Sequence, residues 1–359
     1  MDCVRRLPAI TLTALLVTTG CTSESTQRRE AVDRSPSTTG ITVLARGLQA
    51  PWGIAFLPDG SALISERDTR VIKQLQPDGS VRIVQRVSEA DASGEGGLLG
   101  IAVAKTYSQD RLVYAYYTTG EDNRIARFQL GGRPQPIVTG IPVSGIHNGG
   151  RLAFGPDGYL YAGTGDAAER GRSQDRSSLG GKVLRMTTEG KPAPGNPSPD
   201  SLVWSLGHRN VQGLAWDNKG RLFAPEFGQN RFDEVNLIKP GNNYGWPDVE
   251  GRGGGGAFTD PLVTWGTQEA SPSGAAILDQ TLYVACLRGE RLYQVAIDAQ
   301  GRLGRPQALL VGQYGRLRHV AAARDGSLWI LTSNRDGRGD PIDADDRVLR
   351  LDLPGDAER

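Results

Sequence analysis

A loose pattern, x-Gly-apolar-Ala-apolar, returns six times along the chain, as WGIAF from Trp52, LGIAV from Leu99, GRLAF from Gly150, QGLAW from Gln212, SGAAI from Ser273 and RHVAA from Arg318. The copies start about 45 to 62 residues apart, the range of propeller blades with loop insertions. The residues just after each core narrow the choice. LPDGSALISERD, GPDGYLYAGTGD, DNKGRLFAPEFG and ARDGSLWILTSN each set a tight turn between two short alternating runs, and LDQTLYVACLRGERLYQVAID does so around Asp279-Gln280. That is a hairpin signal. No amphipathic helical period of useful length occurs after Gly40. The chain therefore reads as all-β, a single six-bladed β-propeller over residues 41–359, in which radial closure keeps the blade edges short.

The segment ahead of the propeller has a different character. Residues 1–20 carry two arginines and then a short apolar stretch, an export signal too short to span a bilayer as a mature helix. Its end, VTTGC, resembles a bacterial lipobox, with Thr18 where leucine is usual. The expectation is cleavage and lipid attachment at Cys21, anchoring the protein to the membrane at the cell envelope; plain secretion is the alternative. Residues 21–40 are polar and aperiodic, a flexible tether. With Cys3 removed and Cys21 acylated, Cys286 stands alone and no intrachain disulfide can form. The 41 basic and 40 acidic side chains give no general attraction to nucleic acid.

The repeat also gives a register. Residues a few positions upstream of each core belong to one loop-bearing face around the channel mouth. They are Gln49, Glu95, His147, His208 with Arg209, Glu269 and Arg316. All three histidines of the chain, His147, His208 and His319, lie within about four residues of a core. Convergent acids, bases and guanidinium groups in a concavity mark a binding or catalytic site. His147 suits a general base near neutral pH, and Asp166, at the end of the next hairpin, could hold its ring in one tautomer. Arg209, Arg288, Arg316 and Arg318 are permanently charged forks suited to a ligand with several carboxylates or phosphates. A second constellation, PEFGQNRFDEVNLIKPGNNYGWP, sets Glu226, Asp233 and Glu234 among glycines and asparagines. Such hard-oxygen groups favour calcium over zinc or copper, although acid-rich loops are more often simply solvated.

GHRNVQGLAW, PEFGQNRFDEVNLIKPGNNYGWP, EGGLLGIAV, HNGGRLAF and SPSGAA, in that combination, resemble the bacterial soluble quinoprotein glucose dehydrogenase family, in particular its aldose sugar dehydrogenase branch. The resemblance spans about residues 41–352. It implies pyrroloquinoline quinone (PQQ) as redox cofactor and calcium (Ca2+), with aldoses oxidised at the anomeric carbon to lactones and electrons passed to an external acceptor. It implies that His147 is the base, Asp166 its orienting carboxylate and Arg209 a catalytic partner, with Glu95 and Asp166 as substrate contacts. Arg209, Asn210, Arg288, Arg316 and Arg318 would bind the cofactor. The carbonyls of Gly228 and Gln229 would hold the catalytic calcium, and Glu234 and Tyr244 a second, structural one. Glu95 stands where glucose dehydrogenase has glutamine, Ile146 where it has aspartate, and Arg288 where it has lysine. The loops are shorter too, which argues against dimerisation and tight glucose specificity and points to a monomer.

Two other classes compete: a propeller that binds ligands without chemistry, and a calcium-dependent lactonase. The first has no need of base, orienting acid and arginine clamp together. The second calls for acidic and asparagine ligands converging on a central metal, not for several arginines.

Overall fold

The computed structural model describes residues 40–353; the expected signal segment, the acylation site at Cys21 and nearly all of the tether lie outside the described residues. Six four-stranded antiparallel sheets follow one another along the chain. Their inner strands are Pro51–Phe56, Leu98–Val103, Arg151–Phe154, Ala215–Trp216, Pro272–Leu278 and Leu317–Ala322, so each of the six repeat cores lies on or directly ahead of a different inner strand. Within five blades the strands are added in chain order from inside out. The sixth is completed differently: Ile41–Ala45, from the start of the domain, pairs antiparallel with Val348–Leu351. That pairing ties the two ends together and removes the open edges a linear array would leave.

The hairpin turns follow their sequences. Asp279 and Gln280 both have positive φ, 45° and 57°, between strands Pro272–Leu278 and Thr281–Cys286. This is the two-residue turn whose twist matches that of the paired strands.

Six buried apolar clusters fill the spaces between blades, each drawing mainly on two neighbours, as where Leu63 and Ile72 of the first blade meet Tyr117 and Phe128 of the second. Alternate residues along a strand go to the seams on its two faces, which is why strands such as Ala62–Glu66 and Leu160–Gly163 are buried throughout. Cys286 is buried and unbridged in one of these seams. Among the described residues no helix is long and apolar enough to cross a membrane.

Candidate active site

At the end of the channel where the inner strands begin, a cavity of about 350 Å³ is lined by Glu95, His147, Arg209, Asn210, Gly228, Gln229, Arg288, Arg316 and Arg318 among others. Loops from different blades supply them.

His147 sits in the left-handed region, φ 59°, between two buried loops. Gly165 makes this approach possible, because a Cβ there would come within 1.8 Å of the His147 carbonyl oxygen. The ring is held from both sides. Nδ1 lies 2.7 Å from Asp166 Oδ1, and Nε2 lies 2.8 Å from Arg209 Nη2. A guanidinium can only donate, so Nε2 carries the lone pair and Nδ1 the proton shared with Asp166. This is the tautomer that leaves Nε2 basic toward the cavity. Burial would raise the Asp166 carboxyl, but hydrogen bonds from His147, Trp246 Nε1 (2.9 Å) and the Ala168 amide outweigh it and keep the group ionised.

Asp166 is fully buried and does not line the cavity. The direct substrate contact expected of it has no support in this position, since its two oxygens are taken by His147, Trp246 and the Ala168 amide. Glu95 does line the cavity. Its Oε2 accepts the His147 amide at 2.9 Å, and its Oε1 is 2.7 Å from Arg338, bridging loops of two blades across the mouth.

Two walls of the cavity contrast chemically. On one, Arg316 and Arg318 both donate to the single oxygen Oδ2 of Asp336, at 3.0 to 3.1 Å, and Arg67 donates to the Asp336 carbonyl. One carboxylate therefore serves two guanidinium groups. Arg318 Nε is buried without a partner, and burial pushes the group down to about 10, still protonated at neutral pH. This wall has positive charge to spare.

The facing wall is the loop after the fourth blade's second strand. There Glu250 Oε1 accepts four consecutive amides, from Gln229, Asn230, Arg231 and Phe232, at 2.7 to 3.2 Å. Because a peptide is planar and trans, gathering these N–H groups on one side turns the carbonyls of residues 228–231 to the other. Gly228 is required here, as a Cβ would meet the Phe232 carbonyl oxygen at 1.8 Å. Main-chain oxygens presented together on a rigid loop are a donor set for a hard cation. Asp233, itself in the cavity wall, braces the loop, accepting the amides of Gly228 and Ser271, and burial pushes it up to about 6.

Other expected residues go elsewhere. Glu234 is buried and not in the cavity wall; its oxygens accept the Gly251 amide and the Asn236 side chain, and burial with the nearby Glu226 charge pushes it up to about 8. Tyr244 commits its hydroxyl to the Leu237 carbonyl and the Lys239 amide and stacks on His208, 4.8 Å between centroids. Among the described residues no group of three or more His, Cys, Asp and Glu is set to hold a metal. His208 is structural, bonded to Glu226 Oε2 at 2.6 Å and Ser205 Oγ at 2.8 Å. His319 faces the opposite cavity, so the channel-mouth site holds one histidine instead of three. Gln49 and Glu269 also stay out of the wall, Glu269 accepting from Tyr293. Sequence reasoning misses Asp336, Glu250, Trp246 and Arg67; the motif YGWP contains Trp246, but nothing in the repeat points to the others.

The site thus joins a buried His–Asp pair to a cationic clamp at one mouth of a six-bladed propeller. Residues 48–342 match the Glucose / Sorbosone dehydrogenase family, and the chain belongs to it. The structure resembles that of the PQQ-bound aldose sugar dehydrogenase of Streptomyces coelicolor, 52% identical, covering 89% of this chain and 99% of that one with a TM-score of 0.85. Among curated proteins, aldose sugar dehydrogenase YliI of Escherichia coli is 28% identical over 84% of this chain and 92% of its own length. Quinoprotein glucose dehydrogenase B of Acinetobacter calcoaceticus is 33% identical over 58% of this chain and 52% of its own length. The protein is thus an oxidoreductase of the sugar dehydrogenase type.

Proposed function

We propose that this protein oxidises aldoses at the anomeric carbon to lactones, with pyrroloquinoline quinone and calcium bound in the mouth cavity. The observation that carries the reading is the held His147, whose tautomer is set by Asp166 on one side and Arg209 on the other.

The residues fit the cofactor. A ligand with several carboxylates answers the surplus charge of Arg316 and Arg318 and the orphaned Arg318 Nε, with Arg288, Arg209 and Asn210 on the remaining sides. The carbonyls of Gly228 and Gln229 are the donors for calcium, and the quinone, when bound, supplies a two-electron acceptor for hydride. His147 Nε2 takes the proton of the anomeric hydroxyl, which replaces Arg209 as its hydrogen-bond partner. Arg209 retains Gln229 Oε1 at 3.0 Å as an anchor in that exchange. Asp166 then stabilises the imidazolium. Glu95 is the substrate-facing acid of the mouth, and an external acceptor would take up the electrons of the oxidation. Glu234 and Tyr244 are assigned to a second, structural cation on the family resemblance alone. Export and anchoring at Cys21 rest on the leader sequence.

Chelator-treated protein titrated with cofactor and calcium, with dye reduction followed for several aldoses, tests this. Sugar-dependent reduction that needs both additions is expected. Failure of the cofactor to bind with calcium in excess would overturn it.

A further inference from the structure

The central channel has a second mouth, where the inner strands end. A cavity of about 520 Å³ opens there, walled by apolar side chains such as Ile54, Leu152 and Val320, with Arg151 and His319 also lining it. Arg151 is only 3% exposed. Its Nε donates to the Gln212 carbonyl at 2.7 Å, and its guanidinium carbon lies 4.2 Å over the Trp52 ring. Its Nη2 is buried without a partner, and so is His319 Nδ1.

Among the described residues no carboxylate is paired with this guanidinium. Burial, together with the like charge of Arg318, pushes Arg151 well below the ordinary arginine range. Among the described residues the one carboxylate lining the cavity, Asp217, is already held by Arg221 at 2.6 Å. A buried cation left alone is costly, and waters can satisfy its N–H groups but not its charge.

We propose that a small monovalent anion of halide size binds in this second cavity, on Arg151 Nη2 with the His319 imidazole beside it. One uncompensated guanidinium calls for one negative charge, and the apolar walls disfavour a strongly hydrated divalent ion. The site is separate from the mouth cavity, whose wall does not include Arg151.

The test uses the wild-type protein without cofactor. Crystals grown or soaked in bromide at near-physiological concentration should give a bromine anomalous peak within hydrogen-bond distance of Arg151 Nη2. In solution, replacing methanesulfonate by chloride or bromide at constant ionic strength should raise the melting temperature by a few degrees, as a ligand of the folded state does. Arg151→Gln should lose that halide dependence. A water without anomalous signal at the site, a peak seen only at molar bromide, or a melting temperature indifferent to halide would each overturn the proposal. Should Arg151→Gln not fold, the wild-type measurements decide.

Discussion

The two walls of the mouth cavity solve opposite problems. Around Asp336, side chains converge: two arginines share one carboxylate oxygen, and positive charge is left over for a ligand. Around Glu250, the main chain converges: one carboxylate oxygen collects four amides, and the carbonyls are left over for a cation. A ligand that is anionic and chelates a metal fits between them. The contrast teaches that a buried carboxylate can serve a site without touching what it binds, by fixing which polar groups remain free.

The largest expected effect lies between the walls. His147→Ala should lower kcat by about 10²–10⁴-fold, the span of general base catalysis, with cofactor absorbance retained. If sugar oxidation persists, the base is another group. On the cationic wall, Arg318→Ala should weaken cofactor binding by about 10- to 150-fold, since a hydrogen bond to a charged partner contributes about 1.5–3 kcal/mol. Calcium affinity of the cofactor-free protein should not move with it. The reverse is expected on the carbonyl wall: Glu250→Ala should raise the calcium Kd by about 10- to 100-fold, measured by calorimetry on cofactor-free protein, with Glu250→Gln between it and wild type. Equal loss of both ligands in either variant would mean that the walls do not act separately.

A smaller effect is the pH dependence of the calcium-free protein. Asp233 and Glu234 titrate at about 6 and about 8 when folded, against ordinary carboxylate values in the unfolded chain. Between pH ~4 and ~8 these two carboxyls hold protons that the unfolded chain has released, so their contribution to stability falls as pH rises, opposed in part by His319, which burial keeps neutral where the unfolded imidazole is charged. Calorimetry should show a melting temperature several degrees lower at pH 8 than at pH 5, and calcium should reduce the difference. Least of all, Glu95→Gln keeps an acceptor for the His147 amide, presents an amide oxygen to the sugar in place of the carboxylate, and gives up the pair with the largely exposed Arg338. Its KM for aldoses should shift by less than about 5-fold, because such pairs contribute about 0–1 kcal/mol.

The repeat made the fold legible, because hairpin turns and two-residue alternation are local and recur in each blade. The same register brought Glu95, His147, Arg209 and Arg316 to one mouth. It failed for His319, which lies one residue beyond Arg318 on the same strand: alternation sends neighbours to different surroundings, and proximity to a core does not say which. Glu250 escapes the sequence for another reason, since its target amides are 18 to 21 residues away and nothing local marks a carboxylate as their acceptor.

By itself, the sequence determined the six-bladed architecture, the face that carries the chemistry, and the kinds of group available there. The tertiary structure alone decided which charges are cancelled and which left over. Asp336 reaches Arg316 and Arg318 only because the closing blade folds them together, whereas Arg151 finds no such partner. Charge balance in a buried site is a property of distances across the whole ring, and no local pattern encodes those distances.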